Sequence, residues 1–434
     1  MRPPGEVLET VLLDRGGAPL HFVLAHATFW LDASAEALRW LSILAAVAAV
    51  PLCFDLARRL DGVAAGVVAA AVAASSTALA IYGTFGRMYA LFVLVAALFA
   101  DLFVRALHLR TRGAVAAAAA AGWLLPAVHP YGAIPAFVAL VVAAVLWRGR
   151  DVRAAVPVIV AALAATPFLI ANLRLADRAA VGSEGEALAS PREAWTELIA
   201  ALSAFAGGDG LPLVFFAALA LVGLAVLVRR EPAFAALLAS IALPPLLFVL
   251  VRSQASPDLS PRHLFYGLPL WAAAIGVAAS RLPLAAWALV AAIALASPAS
   301  ALRDPRDIGF ATASPDEGRS IQADENDVLL PYATVFLAAL PDVRRALALP
   351  HAPGDEIVAA LEHADEPVGS VYIAVPTEPW SVLVAEGPFS KGEALSVAAR
   401  RLAEHPHTPS LETWFDWIEP GICEALRELR RTCP

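Results

Sequence analysis

The chain has 434 residues, of which 59% are hydrophobic and 16% are charged. Soluble domains carry about 25% charged residues, so this composition excludes an ordinary cytosolic enzyme and predicts a membrane protein. Charge also divides the chain, because residues 1–300 hold 20 basic and 17 acidic residues whereas residues 301–434 hold 11 and 22. The acidic tail is therefore predicted to be a separate region in water, and its charge argues against nucleic acid as a partner.

Apolar segments close to the length of a bilayer-crossing helix recur along the first 300 residues. A bilayer core about 30 Å thick needs about 20 apolar residues in a helix. About ten segments approach this length: 37–56, 62–82, 88–107, 114–128, 131–147, 154–172, 211–228, 232–251, 263–280 and 283–300. We therefore predict a mainly α, polytopic membrane domain over residues 37–300, followed by a small α/β domain over residues 301–434.

Arginines between these segments predict the orientation, since positively charged loops stay in the cytoplasm. Alternate connections carry Arg58, Arg59, Arg105, Arg110, Arg112, Arg148, Arg150, Arg153, Arg229, Arg230 and Arg281. The opposite connections, which include segment 173–210 and loop 252–262, hold few charges and are predicted to face outward. In this topology the protein crosses the cytoplasmic membrane several times, and its C-terminal domain is extracytoplasmic.

Residues 1–36 are predicted to be the remainder of an outer loop. Within them, Pro19–Leu31 is apolar but has only 13 residues and contains two histidines, His21 and His26, which favours a helix that lies in the membrane interface. An outward start of the first span requires export of residues 1–36, which contain no signal peptide. The simplest expectation is a further transmembrane helix upstream of Met1.

Short motifs follow one another in a recognisable order. They are Gly17–Leu24, Glu36–Ser42, the cytoplasmic turn Arg58–Gly62, Gly86-Arg87-Met88-Tyr89-Ala90-Leu91, His129-Pro130-Tyr131 and Pro261-Arg262-His263-Leu264-Phe265. This series resembles the GT-C glycosyltransferases, and specifically the bacterial type of the dolichyl-phosphate-mannose protein mannosyltransferase family. The resemblance covers most of residues 17–300.

The resemblance implies a membrane glycosyltransferase with a polyprenyl-phosphate sugar as donor. The sugar would be mannose or a similar hexose or pentose, and a protein, glycan or lipid would accept it on the outer face of the membrane with inversion at the anomeric carbon. The partners would thus be the donor, the acceptor and membrane lipids. No cofactor follows with certainty: a divalent metal stays open, although no spacing in the sequence resembles a zinc site and no residue is predicted to bind a metal.

The matched motifs imply roles for five residues. Arg87 and Arg262 would contact the donor phosphate, because a departing lipid phosphate gains negative charge that guanidinium groups stabilise. Tyr89, His129 and Tyr131 would line the cavity. Simpler interpretations stay open, since Arg87 can anchor its helix to lipid headgroups and His129 can be an interfacial histidine.

The acceptor hydroxyl needs a carboxylate that takes its proton. The family carries an acidic residue, usually an Asp-Glu pair, just after its first transmembrane helix, and this sequence has neither the helix nor the pair. The candidate base is therefore Asp14, in Leu13-Asp14-Arg15-Gly16-Gly17, or an acid upstream of Met1. The alternative for Asp14 is a solvated loop carboxylate beside Arg15.

Segment 173–210 is the longest outer connection of the membrane domain. Its second half, 194–205, is amphipathic, and the apolar residues Trp195, Leu198, Ile199, Leu202 and Phe205 are spaced as one helical face. We expect either a surface helix on the bilayer or a flap over the acceptor site.

The tail contains both strand-like and helix-like segments. Strands are predicted at Val328–Tyr332 and Val368–Val375, and helices at Asp355–His363, Lys391–Glu404 and Pro420–Arg431. Cys423 and Cys433 could pair if the tail lies outside the cytoplasm, whereas Cys53 falls in an apolar run and is expected to pack there as a small hydrophobe.

A second hypothesis is a non-catalytic relative or a transporter that binds lipid-linked sugars. Transporters usually show internal repeats and charges buried near mid-membrane. The sequence shows no repeat, and the acids inside its apolar segments, Asp55 and Asp101, fall near the predicted cytoplasmic ends. The sequence therefore favours the enzyme.

Overall fold

The structure is a computed structural model of the whole chain. It describes residues 18–31, 35–84, 86–146, 191–250 and 261–284 continuously, and in the tail residues 327–330, 347–348, 367–375 and 381–404. It also describes the isolated positions 5, 8, 159–160, 163–164, 166–167, 170, 286–290, 292, 294, 358, 361, 423 and 425–427. The chain forms two compact units, Met1–Arg303 and Asp304–Pro434.

The first unit is a bundle of α-helices. They are α1 (Pro19–Leu31), α2 (Ala35–Asp61), α3 (Val63–Ser75), α4 (Thr77–Thr84), α5 (Tyr89–Leu109), α6 (Arg112–Val128), α7 (Ala133–Leu146), α8 (Pro191–Ala206), α9 (Leu211–Arg230), α10 (Pro232–Ala239), α11 (Leu243–Leu250) and α12 (Leu268–Ala279). Short 3₁₀ helices lie between some of them, at Pro130–Gly132, Ser240–Ala242 and Pro261–Gly267.

Several of these helices can cross a membrane by length and composition. In the described part of the chain, α2 from Arg39, α5 and α9 are each long and apolar enough alone, and α3 with α4 make one further apolar pair bent by 53°. The described helices lie on eight of the ten predicted segments. The segments 154–172 and 283–300 lie largely outside the described residues, so the number of about ten spans stays a prediction.

One end of the bundle is joined by hydrogen bonds to a single carboxylate. Asp61, the last residue of α2, accepts from Arg230 at the end of α9 at 2.9 Å. It also accepts from Arg281 at 3.0 Å and from the Ser280 hydroxyl at 2.6 Å, both just after α12. The ends of three helices, α2, α9 and α12, therefore meet at Asp61.

Further ion pairs lie at the same ends of the helices. Arg59 Nε lies 2.6 Å from Oδ1 of the buried Asp101, and His108 Nε2 lies 3.0 Å from Glu231 Oε1. Arg59, Arg230 and Arg281 are among the arginines predicted to face the cytoplasm. The structure thus gathers them at one end of the bundle, as the loop-charge argument requires.

Helix α12 lies in the interior of the bundle, and all 12 of its residues are buried. A Cβ atom at Gly223 of α9 would collide with the carbonyl group of Ala274, and one at Gly276 would collide with that of Ala65 in α3. Small residues let membrane helices approach this closely. Helix α12 is therefore held by backbone contact on two sides.

The apolar face predicted for α8 is only partly buried within the protein. Leu198 and Phe205 are buried, together with Ala194 and Ala201 at helical spacing. Trp195 and Ile199, which were predicted on the same face, are 40% and 53% exposed. Apolar side chains therefore lie on both the buried and the outward side of α8.

The second unit contains a four-stranded sheet. Its strands β1 (Val328–Leu330), β2 (Leu347–Ala348), β3 (Val371–Val375) and β4 (Ser381–Ala385) lie in the order β2-β1-β3-β4. β1 is parallel to β2 and β3, whereas β3 and β4 are antiparallel.

A helix, α13 (Lys391–Glu404), follows this sheet and has the bounds predicted from the sequence. The Ser390 backbone N–H donates to Glu393 Oε2 at 2.9 Å, as in a capping box. Strands β2 and β4 were not predicted.

The cysteines fall into two classes. Cys53 is a free thiol buried in the membrane unit, as expected of a small hydrophobe. Cys423 in the second unit is disulfide-bonded.

Candidate functional site

Aromatic rings, histidines and one arginine collect at the end of the bundle opposite Asp61. They come from α4, the start of α5, the α6–α7 connection and the 3₁₀ helix Pro261–Gly267. We call this group the aromatic cluster and define it as Tyr82, Tyr89, Phe92, His129, Tyr131, Arg262, His263 and Phe265.

His129 is the central ring of the aromatic cluster. It is buried, with 3% of its surface exposed, and it stacks on Phe92 with ring centres 4.8 Å apart. The ring centres of His263, Tyr131 and Tyr89 lie at 5.3, 5.7 and 5.9 Å from it. Burial lowers the pKa of His129 well below the usual value, and the nearby His263 and Arg262 lower it further. The ring is therefore neutral at physiological pH.

The local sequence explains the position of His129. A residue before proline is disfavoured in helical conformation, and α6 accordingly ends at Val128 while His129 is extended, with φ −152° and ψ 137°. Pro130 then starts the 3₁₀ helix, and the Tyr131 backbone N–H donates to His129 Nδ1 at 3.3 Å. Because Nδ1 accepts this bond, the ring proton of the neutral histidine lies on Nε2.

Two further sets of rings extend the aromatic cluster. Tyr131 stacks on His263 at 4.9 Å with an interplanar angle of 17°. Tyr82 makes edge contacts with Tyr89 at 5.0 Å and with Phe265 at 4.8 Å. These contacts join α4, α5, the α6–α7 connection and the Pro261–Gly267 helix.

Arg262 is the cation of the aromatic cluster. Its guanidinium carbon lies 5.8 Å from the centre of the Tyr89 ring. Its Nε is buried and, among the residues that the structure describes, has no hydrogen-bond partner. A buried donor without a partner is costly and is expected to bind an acceptor. The arrangement therefore offers a positive charge, in an aromatic setting, to an anionic group.

Arg87 lies in the turn that leads into α5. The turn begins at Gly86, whose φ of 71° suits glycine, and the Ser42 hydroxyl donates to the Arg87 carbonyl at 3.1 Å. The Arg87 side chain is exposed. The positive charges of Arg262 and Arg87 both act on the Tyr82 hydroxyl, so both arginines lie near this tyrosine.

His21 of α1 is buried beside the same turn. Burial, and secondarily the positive charge of Arg87, lower the pKa of His21 to about 4, although a hydrogen bond with the Gly86 backbone opposes this shift. The turn that carries Arg87 is thus held between α1 and α2.

The structure brings together most of the residues that the sequence singled out. Tyr89, His129, Tyr131 and Arg262 share the aromatic cluster, and Arg87 borders it through Tyr82. Asp14 lies outside the described residues, as does loop 252–260.

Sequence reasoning missed four members of the aromatic cluster: Tyr82, Phe92, His263 and Phe265. His263 stands directly after Arg262 in the matched motif, which is a signal that could have identified it. Tyr82 lies seven residues before Tyr89 and therefore two helical turns away, but a bend and a turn intervene. Phe265 belongs to the same motif as His263, whereas Phe92 reads as an ordinary apolar residue of α5 and gives no such signal.

Chemically, the aromatic cluster combines a guanidinium group, two imidazoles and phenols. The guanidinium suits a phosphate, and the rings suit the apolar faces of an amphiphile or a sugar. In the described part of the chain, no group of three or more His, Cys, Asp or Glu residues is arranged to hold a metal ion.

The comparisons with known proteins concern the fold. No family model matches the chain, and no curated protein matches it in sequence. Two solved structures of ArnT from Cupriavidus metallidurans are similar. The apo structure has 12% identity and a TM-score of 0.56 over 86% of this chain and 87% of that one. The structure bound to undecaprenyl phosphate has 14% identity and a TM-score of 0.55 over 82% of both chains. The similarity shows that this chain shares the helical fold of ArnT, which confirms the predicted mainly α, polytopic membrane fold.

Proposed function

We propose that the protein is an integral membrane glycosyltransferase of the cytoplasmic membrane, which moves a sugar from a polyprenyl-phosphate donor to an acceptor on the outer face. The observation that carries this proposal is Arg262, whose buried Nε has no partner among the described residues and whose guanidinium faces Tyr89 in the aromatic cluster. The phosphate of the donor would supply the hydrogen-bond acceptor and the negative charge that the Arg262 guanidinium lacks within the described part of the chain.

The fold supports the class of donor. ArnT, which has a similar fold, was crystallised with undecaprenyl phosphate. A polyprenyl phosphate keeps its tail in lipid and its phosphate at the membrane surface. Arg262 lies among aromatic rings at one end of the helical bundle, where a phosphate at the membrane surface could reach it.

The reaction requires a leaving group and a base. The acceptor oxygen forms a bond to the anomeric carbon while the bond from that carbon to the phosphate oxygen breaks, and the phosphate leaves with the electron pair. Arg262, with Arg87, would stabilise the departing charge. A carboxylate in the segment before α1 would take the hydroxyl proton, and Asp14 is the candidate in this sequence.

The orientation belongs to the same proposal. With the Asp61 end in the cytoplasm, the aromatic cluster and the second unit both lie outside. The disulfide at Cys423 supports an outside position for the second unit, because disulfides persist in oxidising compartments.

The test is transfer by the purified chain in proteoliposomes. Radiolabelled mannose, other hexoses and pentoses on a polyprenyl phosphate would be offered with extracts of protein, glycan and lipid acceptors, and undecaprenyl phosphate binding would be measured separately. Transfer that Asp14→Asn abolishes would support the assigned base. Binding without transfer of any sugar would favour the non-catalytic alternative.

A further inference from the structure

The break between α3 and α4 meets the end of α8. Helix α3 ends at Ser75, residue Ser76 is extended with φ −64° and ψ 125°, and α4 begins at Thr77. The hydroxyls of Ser76 and Thr77 both donate to the carbonyl oxygen of Ala204, each at 3.0 Å. Two adjacent side chains at a helix break thus share one acceptor on another helix.

This acceptor is a group that α8 cannot satisfy by itself. The last four carbonyls of an α-helix have no partner within the helix, and Ala204 contributes one of them. After α8 the chain turns away through Gly207 and Gly208, with φ of 81° and 155°. In a membrane an unsatisfied carbonyl is costly, so the two hydroxyls act as a C-terminal cap supplied by a different helix.

Both sides of this junction lead to the aromatic cluster. Phe205, next to Ala204, is fully buried, and its ring centre lies 6.0 Å from that of Phe265. Phe265 in turn contacts Tyr82, which lies on α4 beyond the break. Phe265 also belongs to the same short 3₁₀ helix as Arg262.

We propose that Ser76 and Thr77 are positioning residues, which seat the end of α8 on the α3–α4 break and thereby hold Tyr82 and Phe265 where Arg262 faces the donor phosphate. The proposal rests on the proposed function for its substrate. The seating of α8 itself is independent of any substrate and can be measured separately.

The experiment uses the full chain in detergent with the double variant Ser76→Ala and Thr77→Val, which removes both hydroxyls with little change of volume. Hydrogen–deuterium exchange would report on residues 200–206 and 77–84, and fluorescence titration would give the Kd for undecaprenyl phosphate. We expect faster exchange in both segments and a Kd raised about tenfold. The single variant Thr77→Val, which keeps the Ser76 bond, should give smaller changes if the double variant does not fold.

Two controls make the result specific. Ser75→Ala removes a buried neighbouring hydroxyl that donates to Val72 in its own helix at 3.1 Å, so both measurements should stay at wild-type values. The variant with Ser76→Thr and Thr77→Ser keeps both hydroxyls and should preserve exchange and affinity.

The outcomes separate this proposal from the proposed function. Unchanged exchange in the double variant would overturn the seating role, and faster exchange with an unchanged Kd would overturn the link to the donor site. If the wild-type chain itself binds no undecaprenyl phosphate, the donor assignment fails together with the positioning role. The exchange measurement then still decides whether the junction seats α8.

Discussion

The Arg262 guanidinium carbon lies 5.8 Å from the centre of the Tyr89 ring, so that a cation faces the first residue of α5. Such contacts contribute about 0.5–2 kcal/mol, depending on how far the cation is desolvated. The ring holds the guanidinium without using its hydrogen-bond donors, which leaves these donors for a ligand.

Replacing Arg262 with alanine should reduce transfer about 10²-fold, the scale on which one stabilising donor is lost. Lysine should restore activity only in part, because an ammonium group lacks the planar paired donors of guanidinium. Steady-state transfer in proteoliposomes would measure both effects. Arg105→Ala is the matched control, since Arg105 is exposed near the opposite end of α5 and should be neutral. Wild-type rates for Arg262→Ala at equal expression would refute the assignment.

Arg87 should matter less than Arg262. Its side chain is exposed, so water and salt screen its charge. We expect Arg87→Ala to raise the KM for the donor about tenfold at low salt, with a smaller effect at high salt. Initial rates at several donor and salt concentrations would test this. An effect that does not depend on salt would mean that Arg87 contacts the donor in a desolvated setting.

His21 should make the folded state sensitive to acid. Its pKa of about 4 in the folded protein lies below the ordinary 6.5, so the unfolded chain binds a proton at a higher pH than the folded chain. The stability that neutral His21 supports is complete above pH 6.5 and falls as the pH drops towards 4. Thermal unfolding in detergent from pH 8 to 4 should therefore show a steeper acid loss for the wild type than for His21→Gln. Parallel curves for the two chains would exclude this role.

The ion pair of Arg59 and Asp101 should contribute more to the free energy of unfolding than the neighbouring, more exposed pair of Arg58 and Asp55. The Asp101 side chain is 5% exposed, whereas that of Asp55, which pairs with Arg58, is 37% exposed. Asp101→Ala leaves Arg59 without this partner and should cost about 1–3 kcal/mol of stability, less than a fully buried pair because Arg59 is partly solvated. Asp55→Ala should cost below about 1 kcal/mol. Equal melting temperatures for the two variants would contradict the comparison.

Two exposed positions near opposite ends of the helices allow the orientation of the bundle in the membrane to be tested. Gly113 is exposed with open space around it, and Asp209 is exposed in the turn between α8 and α9, so a cysteine at either position should be tolerated. An impermeant thiol reagent on intact cells should label Asp209→Cys and spare Gly113→Cys.

The tail contains Lys391, which is the only lysine in the sequence. An impermeant amine reagent should label it from outside, and Lys391→Arg should remove that label. Labelling of Gly113→Cys without Asp209→Cys would invert the topology.

Elements bounded by local signals could be predicted from the sequence. Helix α13 begins directly after Ser390, which donates two hydrogen bonds to Glu393 in the first turn, and its bounds were predicted correctly. Helix α1 likewise has the predicted bounds Pro19–Leu31.

Features that depend on the surrounding solvent were harder to predict. Trp195 and Ile199 belong to the apolar side of α8, yet they are exposed while Leu198 is buried. In a protein surrounded by lipid, an apolar side chain is stable on either side of a helix, so the pattern does not tell the core from the outer surface. The bend at Ser76 was missed because segment 62–82 has the length of one span, although Ser75, Ser76 and Thr77 interrupt its apolar run.

Members of the aromatic cluster could be predicted from the sequence only where they belong to a recognisable motif. Arg262, Tyr89 and His129 come from separate motifs, and their meeting follows from the crossing of helices far apart in sequence. Tyr82 and Phe265 join them through ring contacts that no local pattern encodes.

The glycine contacts of α12 have a consequence for how a lipid could enter. At Gly223 and Gly276 the backbones of neighbouring helices pack so closely that a Cβ atom would collide, so α12 is tightly packed against both α9 and α3. The 3₁₀ helix that contains Arg262 leads directly into α12, so its position depends on that tightly packed helix. If the proposed polyprenyl donor binds, we therefore expect any movement that admits it to occur elsewhere in the bundle, with Arg262 kept in place by α12.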